Sequence, residues 1–340
     1  MKKVITFGEI MMRLNPEGYL RLLQAQKLEM SFAGGEANVA VSVANFGMKA
    51  AFVTKLPDNV LGRRAAMELQ KYGVDTEAIV YGGSRMGIYF VEKGASQRPS
   101  KVLYDRGASA IALAERTDFD WEHILEGANW FHFTGITPAL SEGCAEICED
   151  ALRVCKEKHI TVSCDLNFRK KLWSKEKAGE VMGRLMKYVD VCIANEADAA
   201  DVFGICAGNS DISKGELDRQ GYVSVAQQLV ERFGIKSVAI TLRKSISASI
   251  NHWGGLLYTG GEAFFSPEYM IQIVDRVGGG DSFAGALIYA LNSGYEPQKA
   301  VNFAAAASCL KHTMEYDFNL STLEEVNSLM QGNASGRVQR

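Results

Sequence analysis

The sequence predicts an α/β chain, with a mainly parallel central sheet covered by helices on both faces and a small β-strand lid. Two observations carry this. From residue 129 onward, short apolar runs near 129–134, 160–164, 189–193 and 237–241 alternate with segments of helical periodicity near 141–157, 174–187, 195–203 and 221–232. That is the rhythm of strand–helix–strand units. The rhythm breaks between residues 85 and 106, where runs at 86–91 and 100–104 flank a polar loop containing Gly94 and Pro99. This pattern reads as an antiparallel hairpin.

Taken in order, Val4 to Phe7 forms a buried strand that pauses at Gly8 and Glu9 and continues through Met12 to Leu14. Residues 15–33, with Pro16 and Gly18, read as irregular chain in a projecting flap. Gly34 and Gly35 open a small-residue helix that reaches Phe46 and is closed by Gly47, with Asn38 one turn in. The glycine pair suits close ligand approach or tight helix-to-sheet packing equally well. A strand over 50–55, a helix over 59–72 and a strand over 76–80 follow. The hairpin carries Tyr89 and Tyr104 beside Asp105 and Arg106, and its exposed edge needs cover, which predicts a homodimer through the lid.

Ligands on parallel sheets bind beyond the carboxyl ends of the strands. Three polar clusters fall there: 165–169, with Asp165, Asn167 and Arg169; 195–198, with Asn195 and Asp198; and 241–245, with Thr241, Arg243 and Ser245. Each also suits a plain strand-to-helix turn, and Asn195 is a good helix cap. Further short strands are expected over 246–272, an alanine-rich helix over 297–311 and an amphipathic helix over 322–330. Residues 1–330 thus read as one domain with lid segments at about 10–33 and 85–107. Residues 331–340 read as a disordered tail.

The chemistry concentrates at residues 273–291. An apolar strand runs into Gly278, Gly279 and Gly280, Asp281 follows at once, and a chargeless helix comes next. Consecutive glycines let several backbone N–H groups turn toward one point at a helix N-terminus, a place that favours an anion. A carboxylate beside such a pocket suits the removal of a proton from a hydroxyl that attacks a bound phosphate. The plainer reading is that Asp281 caps the helix after a tight turn. No Gly-Lys-Ser/Thr follows the glycines, and Phe283 stands where a dinucleotide fingerprint needs its third glycine.

Composition narrows the function class. The net charge is −3, from 37 basic and 40 acidic residues, which gives no basic footprint for nucleic acid or for a membrane surface. The longest apolar runs are too short to span a bilayer. Met1, Lys2 and Lys3 imitate the charged start of a signal peptide, but Glu9 and Arg13 interrupt the apolar stretch behind them. Seven cysteines without a Cys-x-x-Cys pair fit a reducing cytoplasm. Cys144, Cys148 and Cys155 share a helical stripe and read as small buried apolar residues.

With these residues assembled, the chain resembles the ribokinase-like (PfkB) sugar kinases over nearly its whole length. Residues 33–38 look like the amino-terminal glycine-pair signature of that family, and residues 275–281 like the carboxy-terminal one. Within the family the likeness is greatest to 2-keto-3-deoxygluconate kinases, on Gly8, Glu9, 104–106, 165–169, Asp275, Arg276 and 311–319. The resemblance implies a three-layer α/β/α fold and ATP-dependent phosphorylation of a primary hydroxyl on a sugar acid. A neutral-sugar kinase of fructokinase or ribokinase type is the alternative, and a catalytically inactive sugar sensor the remote one.

By the same resemblance, Asp281 is the catalytic base and Gly278, Gly279 and Gly280 form the anion hole. Gly34, Gly35, Asn38, Tyr89, Tyr104, Arg106, Asn167, Arg169 and Asp317 bind the sugar. Asn195, Thr241, Arg243, Ser245, Gly278 and Gly280 meet the nucleotide. Asn195 and Asp198 order Mg2+ through water, and a monovalent cation such as K+ stays open. Forked guanidinium contacts to a carboxylate would make Arg106 and Arg169 the selectivity element.

The departures from the family pattern are specific. Gly279 replaces a frequent alanine, a change expected only to loosen the loop slightly. Asp198 replaces a glutamate. Arg243, Lys244 and Ser245 stand where a glycine usually follows Thr241, and Met314, Glu315 and Tyr316 replace a stretch with proline and glycine.

Overall fold

The computed structural model describes residues 2–206 and 219–333. The amino-terminal half contributes β1 (Lys3–Phe7), β2 (Met11–Asn15), β3 (Glu29–Ala33), α1 (Gly35–Asn45), β4 (Lys49–Leu56), α2 (Val60–Lys71) and β5 (Ile79–Tyr81). The expected hairpin follows as β6 (Ile88–Glu92) and β7 (Lys101–Asp105), and a short helix α3 (Trp121–Ile124) leads into β8 (Trp130–Thr134). Next come α4 (Glu142–Glu157), β9 (Thr161–Asp165), α5 (Lys175–Leu185), β10 (Val191–Asn195), α6 (Glu196–Phe203) and α7 (Arg219–Phe233). The chain closes with β11 (Ser237–Ser245), β12 (Ile250–Thr259), β13 (Glu262–Phe265), β14 (Tyr269–Gln272), α8 (Gly279–Asn292), α9 (Pro297–Lys311) and α10 (Leu323–Met330).

The large sheet has ten strands in the order β13-β12-β11-β10-β9-β8-β1-β4-β5, with β14 also on β12. From β11 to β5 every pairing is parallel, and β12 to β14 pair antiparallel at one edge. The α/β class and the mainly parallel sheet expected from the strand–helix rhythm are thus what the chain adopts.

Two apolar cores lie on the two faces of this sheet. One joins Phe7, Phe131 and Phe133 to Leu152 of α4 and Met182 of α5. The other joins Phe52 to Val43 of α1, Phe283 of α8 and Phe303 of α9. Cys144, Cys148 and Cys155 are fully buried on α4, so the stripe is core, as expected. Ser141 begins that helix, its hydroxyl accepting the Cys144 N–H at 3.1 Å.

A second sheet of four strands, β3-β2-β6-β7, stands apart from the first. Two sequence expectations change here. The run from Val4 to Leu14 is not one strand, because the chain leaves the large sheet after Phe7 and β2 belongs to the small one. Residues 15–33 are not irregular throughout, since Glu29–Ala33 pairs antiparallel with β2. That pairing closes across residues 16–28, which local periodicity cannot register. The register sets Arg13 beside Tyr89 and Tyr89 beside Tyr104, so one rung of the small sheet carries three long polar side chains. The tail expected to be disordered lies outside the described residues from 334 on.

Candidate active site

Parallel order fixes where the strands end. The registers pair Thr134 with Asp165 and Asn195 with Thr241, so the polar ends of β8 to β11 sit side by side. The glycine loop before α8 and the Arg13–Tyr89–Tyr104 rung close over them. Between them lies a cleft of about 370 Å³.

Gly278 caps α8 with φ 81° and ψ −1°, the left-handed region that glycine enters without strain. A Cβ there would overlap the Asp317 carbonyl, whereas a Cβ on Gly280 would meet nothing within 4 Å. The loop is thus pressed against residue 317 on one side and open to the cleft on the other. Asp281 stands in the first turn of α8, and its Oδ2 accepts the Asn38 amide at 2.6 Å. Asn38 is itself placed by α1, its Oδ1 accepting the Gly34 N–H at 3.3 Å. Burial raises the Asp281 pKa to about 6 against the Asn38 hydrogen bond, and the charges of Asp317 and Glu36 add to the rise. A carboxylate of that basicity suits a general base near neutral pH.

Below the loop lies a compensated group of charges. Arg13 is fully buried, with NH1 on Asp317 Oδ1 and NH2 on Asp275 Oδ2, each at 2.6 Å. Burial disfavours its charge, but Asp317 and Asp275 outweigh that and hold the guanidinium above its ordinary pKa. Tyr89 donates to Asp317 Oδ2 at 2.9 Å, and the buried Lys311 ammonium donates to the Asp275 carbonyl at 3.2 Å. Strands β2 and β6 of the small sheet are therefore locked to the segment that carries the glycine loop.

At the other end of the cleft the two arginines expected to grip a carboxylate differ. Arg106 directs Nε at 2.7 Å, and also NH2, onto Glu9 Oε2, while Glu9 Oε1 accepts the Ser109 hydroxyl at 2.7 Å. Its charge is already matched. Arg169 donates only to the neighbouring Phe168 carbonyl, at 3.3 Å, and among the described residues it has no carboxylate in ion-pair contact. Its charge opposes the raised pKa of Asp165, which burial and then the charges of Asp198 and Asp281 push well above the usual carboxylate range.

Residues 1–317 match the family described as pfkB family carbohydrate kinase. The chain belongs to the PfkB carbohydrate kinases. It is 53% identical to the crystal structure of 2-dehydro-3-deoxygluconokinase from Thermotoga maritima, with a TM-score of 0.95 over 98% of this chain and 100% of that one. It is 35% identical to the 2-dehydro-3-deoxygalactonokinase of Haloferax volcanii, over 98% of each chain. It is 29% identical to Fructokinase-1 of Oryza sativa subsp. japonica, over 96% of this chain and 97% of that protein.

In this PfkB kinase the cleft brings together Gly34, Gly35, Asn38, Tyr89, Tyr104 and Arg106 from the first half of the chain. From the second half come Asn167, Arg169, Asn195, Thr241, Arg243, Asp317, Asp281 and the three glycines. Two expected residues do not reach it. Ser245 is exposed at the end of β11. Asp198 is buried, its oxygens accepting the N–H groups of Phe168 at 3.1 Å and Asn195 at 3.3 Å. Of the pair expected to order a metal ion, only Asn195 lines the cleft, and its Oδ1 caps α6. Asp317 does line it, with Arg13 and Tyr89 each using one lone pair of its carboxylate.

Residues that sequence reasoning did not assign also line the cleft, among them Glu36, Asp165, Arg276 and His312. Glu36 Oε1 accepts from the Thr134 N–H and from the Thr134 and Thr137 hydroxyls at 2.6–3.0 Å, holding the turn after β8. For Arg276 a signal was visible, since it is the one cation in a small, apolar run that leads to the glycines.

The departure at Gly279 is not a simple loosening. A Cβ there would overlap the His312 imidazole, whose ring fills the space an alanine would need. At Tyr316 the chain takes φ 62°, a region that favours glycine. Glu29, which accepts the phenol at 3.0 Å, and Arg13, 5.5 Å from the ring centroid, hold the side chain there.

Proposed function

We propose that this PfkB kinase transfers the γ-phosphoryl group of ATP to the 6-hydroxyl of 2-keto-3-deoxygluconate, giving 2-keto-3-deoxy-6-phosphogluconate. The observation that carries the acid over a neutral sugar is Arg169, a cleft guanidinium that has no carboxylate in ion-pair contact among the described residues. A sugar acid brings a carboxylate that can pair directly with the guanidinium, whereas a neutral hexose offers none. The identity to the Thermotoga enzyme supports the same substrate, and the Haloferax name makes the C4 epimer the nearest competitor.

Asp281 takes the hydroxyl proton, with Asn38 aiming its carboxylate. The amides of the glycine loop and the N-terminus of α8 meet the charge that develops on the migrating phosphoryl group. Tyr89, Tyr104 and Arg106 line the sugar end. The small sheet acts as a lid that excludes water, which would otherwise take the phosphoryl group.

Among the described residues no group of three or more His, Cys, Asp or Glu side chains is arranged to hold a metal ion. The cleft carboxylate Asp165 and the neighbouring Asn195 nonetheless fit Mg2+ that arrives on the nucleotide and keeps several waters. When bound, Mg2+ supplies charge neutralisation on the phosphates.

The lid also pairs two protomers. Leu103 is 54% exposed and Met30 49% on the outer strands β7 and β3, and both strands present open edges. Sedimentation of the wild type should give a dimer, and Leu103→Glu should shift it toward monomer. Seven free cysteines, five of them buried, support a reducing cytoplasm as the working compartment.

A coupled assay against 2-keto-3-deoxygluconate, 2-keto-3-deoxygalactonate, gluconate, fructose and ribose tests the reading. The two keto-deoxy acids should give the highest kcat/KM. Preferred turnover of fructose or ribose would establish the neutral-sugar alternative, and no turnover of any would leave an inactive sensor.

A further inference from the structure

The geometry points to Arg276 and Arg243 as a two-pronged clamp on the nucleotide's polyphosphate, gripping the β-phosphate beside the glycine loop. This rests on the ATP-dependent reading above and goes beyond it by giving a role to Arg276, which lies inside the carboxy-terminal signature at residues 275–281 but which the resemblance left without one. Both guanidinium groups line the cleft. Arg276 stands two residues before Gly278, with NH2 anchored on the Ala248 carbonyl at 3.1 Å, while its Nε is buried without a partner. Arg243 lies two residues beyond Thr241 on β11, so both project from the same face of that strand.

Neither arginine has a carboxylate in ion-pair contact among the described residues. The acids that might have served are committed elsewhere. Asp275 turns away to Arg13 and to the Val277 N–H, and Asp317 to Arg13 and Tyr89. Two like charges thus line one cavity, and among the described residues neither is in ion-pair contact with a carboxylate. Burial, and then the charge of Arg243, hold the Arg276 pKa below its ordinary value against the opposing charge of Asp275. His312, which lines the same cleft, is kept neutral by burial, opposed by its bond to the Ser308 carbonyl, with Lys311, Arg276 and Arg243 adding to the depression. An anion arriving there removes a repulsion as well as gaining two charge-assisted contacts. The adjacent loop amides take the γ-phosphoryl group, which puts the β-phosphate within the reach of this pair.

The test is calorimetric titration of full-length wild type, Arg276→Ala and Arg243→Ala with ATP, ADP, AMP and adenosine, without sugar, after thermal melts confirm folding. Each variant should bind ATP and ADP about 10- to 100-fold more weakly, the size expected for one charged hydrogen-bonding group. Adenosine binding and the KM for sugar should stay within about twofold, the scatter of a neutral change. Unchanged ATP affinity in the variants, or an equal loss for adenosine, would overturn the clamp while leaving the kinase reading intact. A wild type that binds neither ATP nor ADP would sink the kinase reading and the clamp together. Should Arg276→Ala not fold, Arg243→Ala decides alone, because Arg243 is exposed and surface substitutions usually change stability little.

Discussion

The amide of Asn38 donates to Asp281 Oδ2 across 2.6 Å, although 243 residues separate the two in the chain. The contact joins the first turns of α1 and α8, the two helices opened by the glycine pair and the glycine triplet. Each helix aims its amino terminus at the same cleft, and one hydrogen bond fixes the Asp281 carboxylate with respect to both.

Asp281 must be ionised to accept a proton, and burial places its pKa near 6. The free-enzyme kcat/KM should therefore fall as pH drops through about 6. Asn38 opposes the rise by donating to the charged form, so Asn38→Ala should move the acid limb to higher pH. A limb that stays put would show that this hydrogen bond does not tune the base. Asp281→Asn should lose about 10²–10⁴ in turnover while sugar binding persists, the range usual for general-base catalysis.

The same shift has a stability consequence. A carboxyl whose folded pKa lies above its unfolded value binds its proton more tightly when folded. It is neutral and unpenalised below about pH 4, and it becomes a burden as pH rises through 6. Asp281→Asn should therefore raise the melting temperature at pH 8 and leave it nearly unchanged at pH 4. Discounted for the solvent that reaches the cleft, the gain is roughly 1–2 kcal/mol. Equal melting curves at pH 8 would contradict the burial argument.

Arg169→Ala and Arg106→Ala should differ in kind. Arg169 is uncommitted, so its loss should raise KM for the keto-deoxy acid by about 10-fold or more without unfolding the protein. Arg106→Ala also strands the buried Glu9 carboxylate, so it should lower thermal stability as well. Steady-state kinetics and melts of both variants separate the two roles.

Gly279 and His312 should behave as a coupled pair. Gly279→Ala alone forces a Cβ into the imidazole, and His312→Ala alone leaves a void. The double variant relieves both, so a double-mutant cycle on stability should give a coupling of about 1 kcal/mol or more. Additive effects would mean that the ring moves aside freely.

Arg13→Ala removes the guanidinium that bridges two buried carboxylates. The expected cost is about 3–5 kcal/mol, because Asp275 and Asp317 lose the guanidinium that ion-pairs with both. Chemical denaturation measures it directly. A loss under 1 kcal/mol would mean that the small sheet is not tied to the anion loop through this group.

The alternation of strands and helices, the glycine triplet with Asp281, and Asn38 one turn into α1 were all legible in residue order, since each depends on local spacing. The small sheet was only half visible: the hairpin of β6 and β7 shows its own period, whereas β3 pairs with β2 across residues 16–28. The roles of the charged residues were not legible at all. Arg13 finds partners 262 and 304 residues away, Arg106 is paired with Glu9 from the turn after β1, and among the described residues Arg169 and Arg276 have no carboxylate in ion-pair contact. A sequence states how many charges there are and in what local company. Whether a given guanidinium is already spent or still available to a ligand depends on long-range neighbours that only the order of the strands brings together.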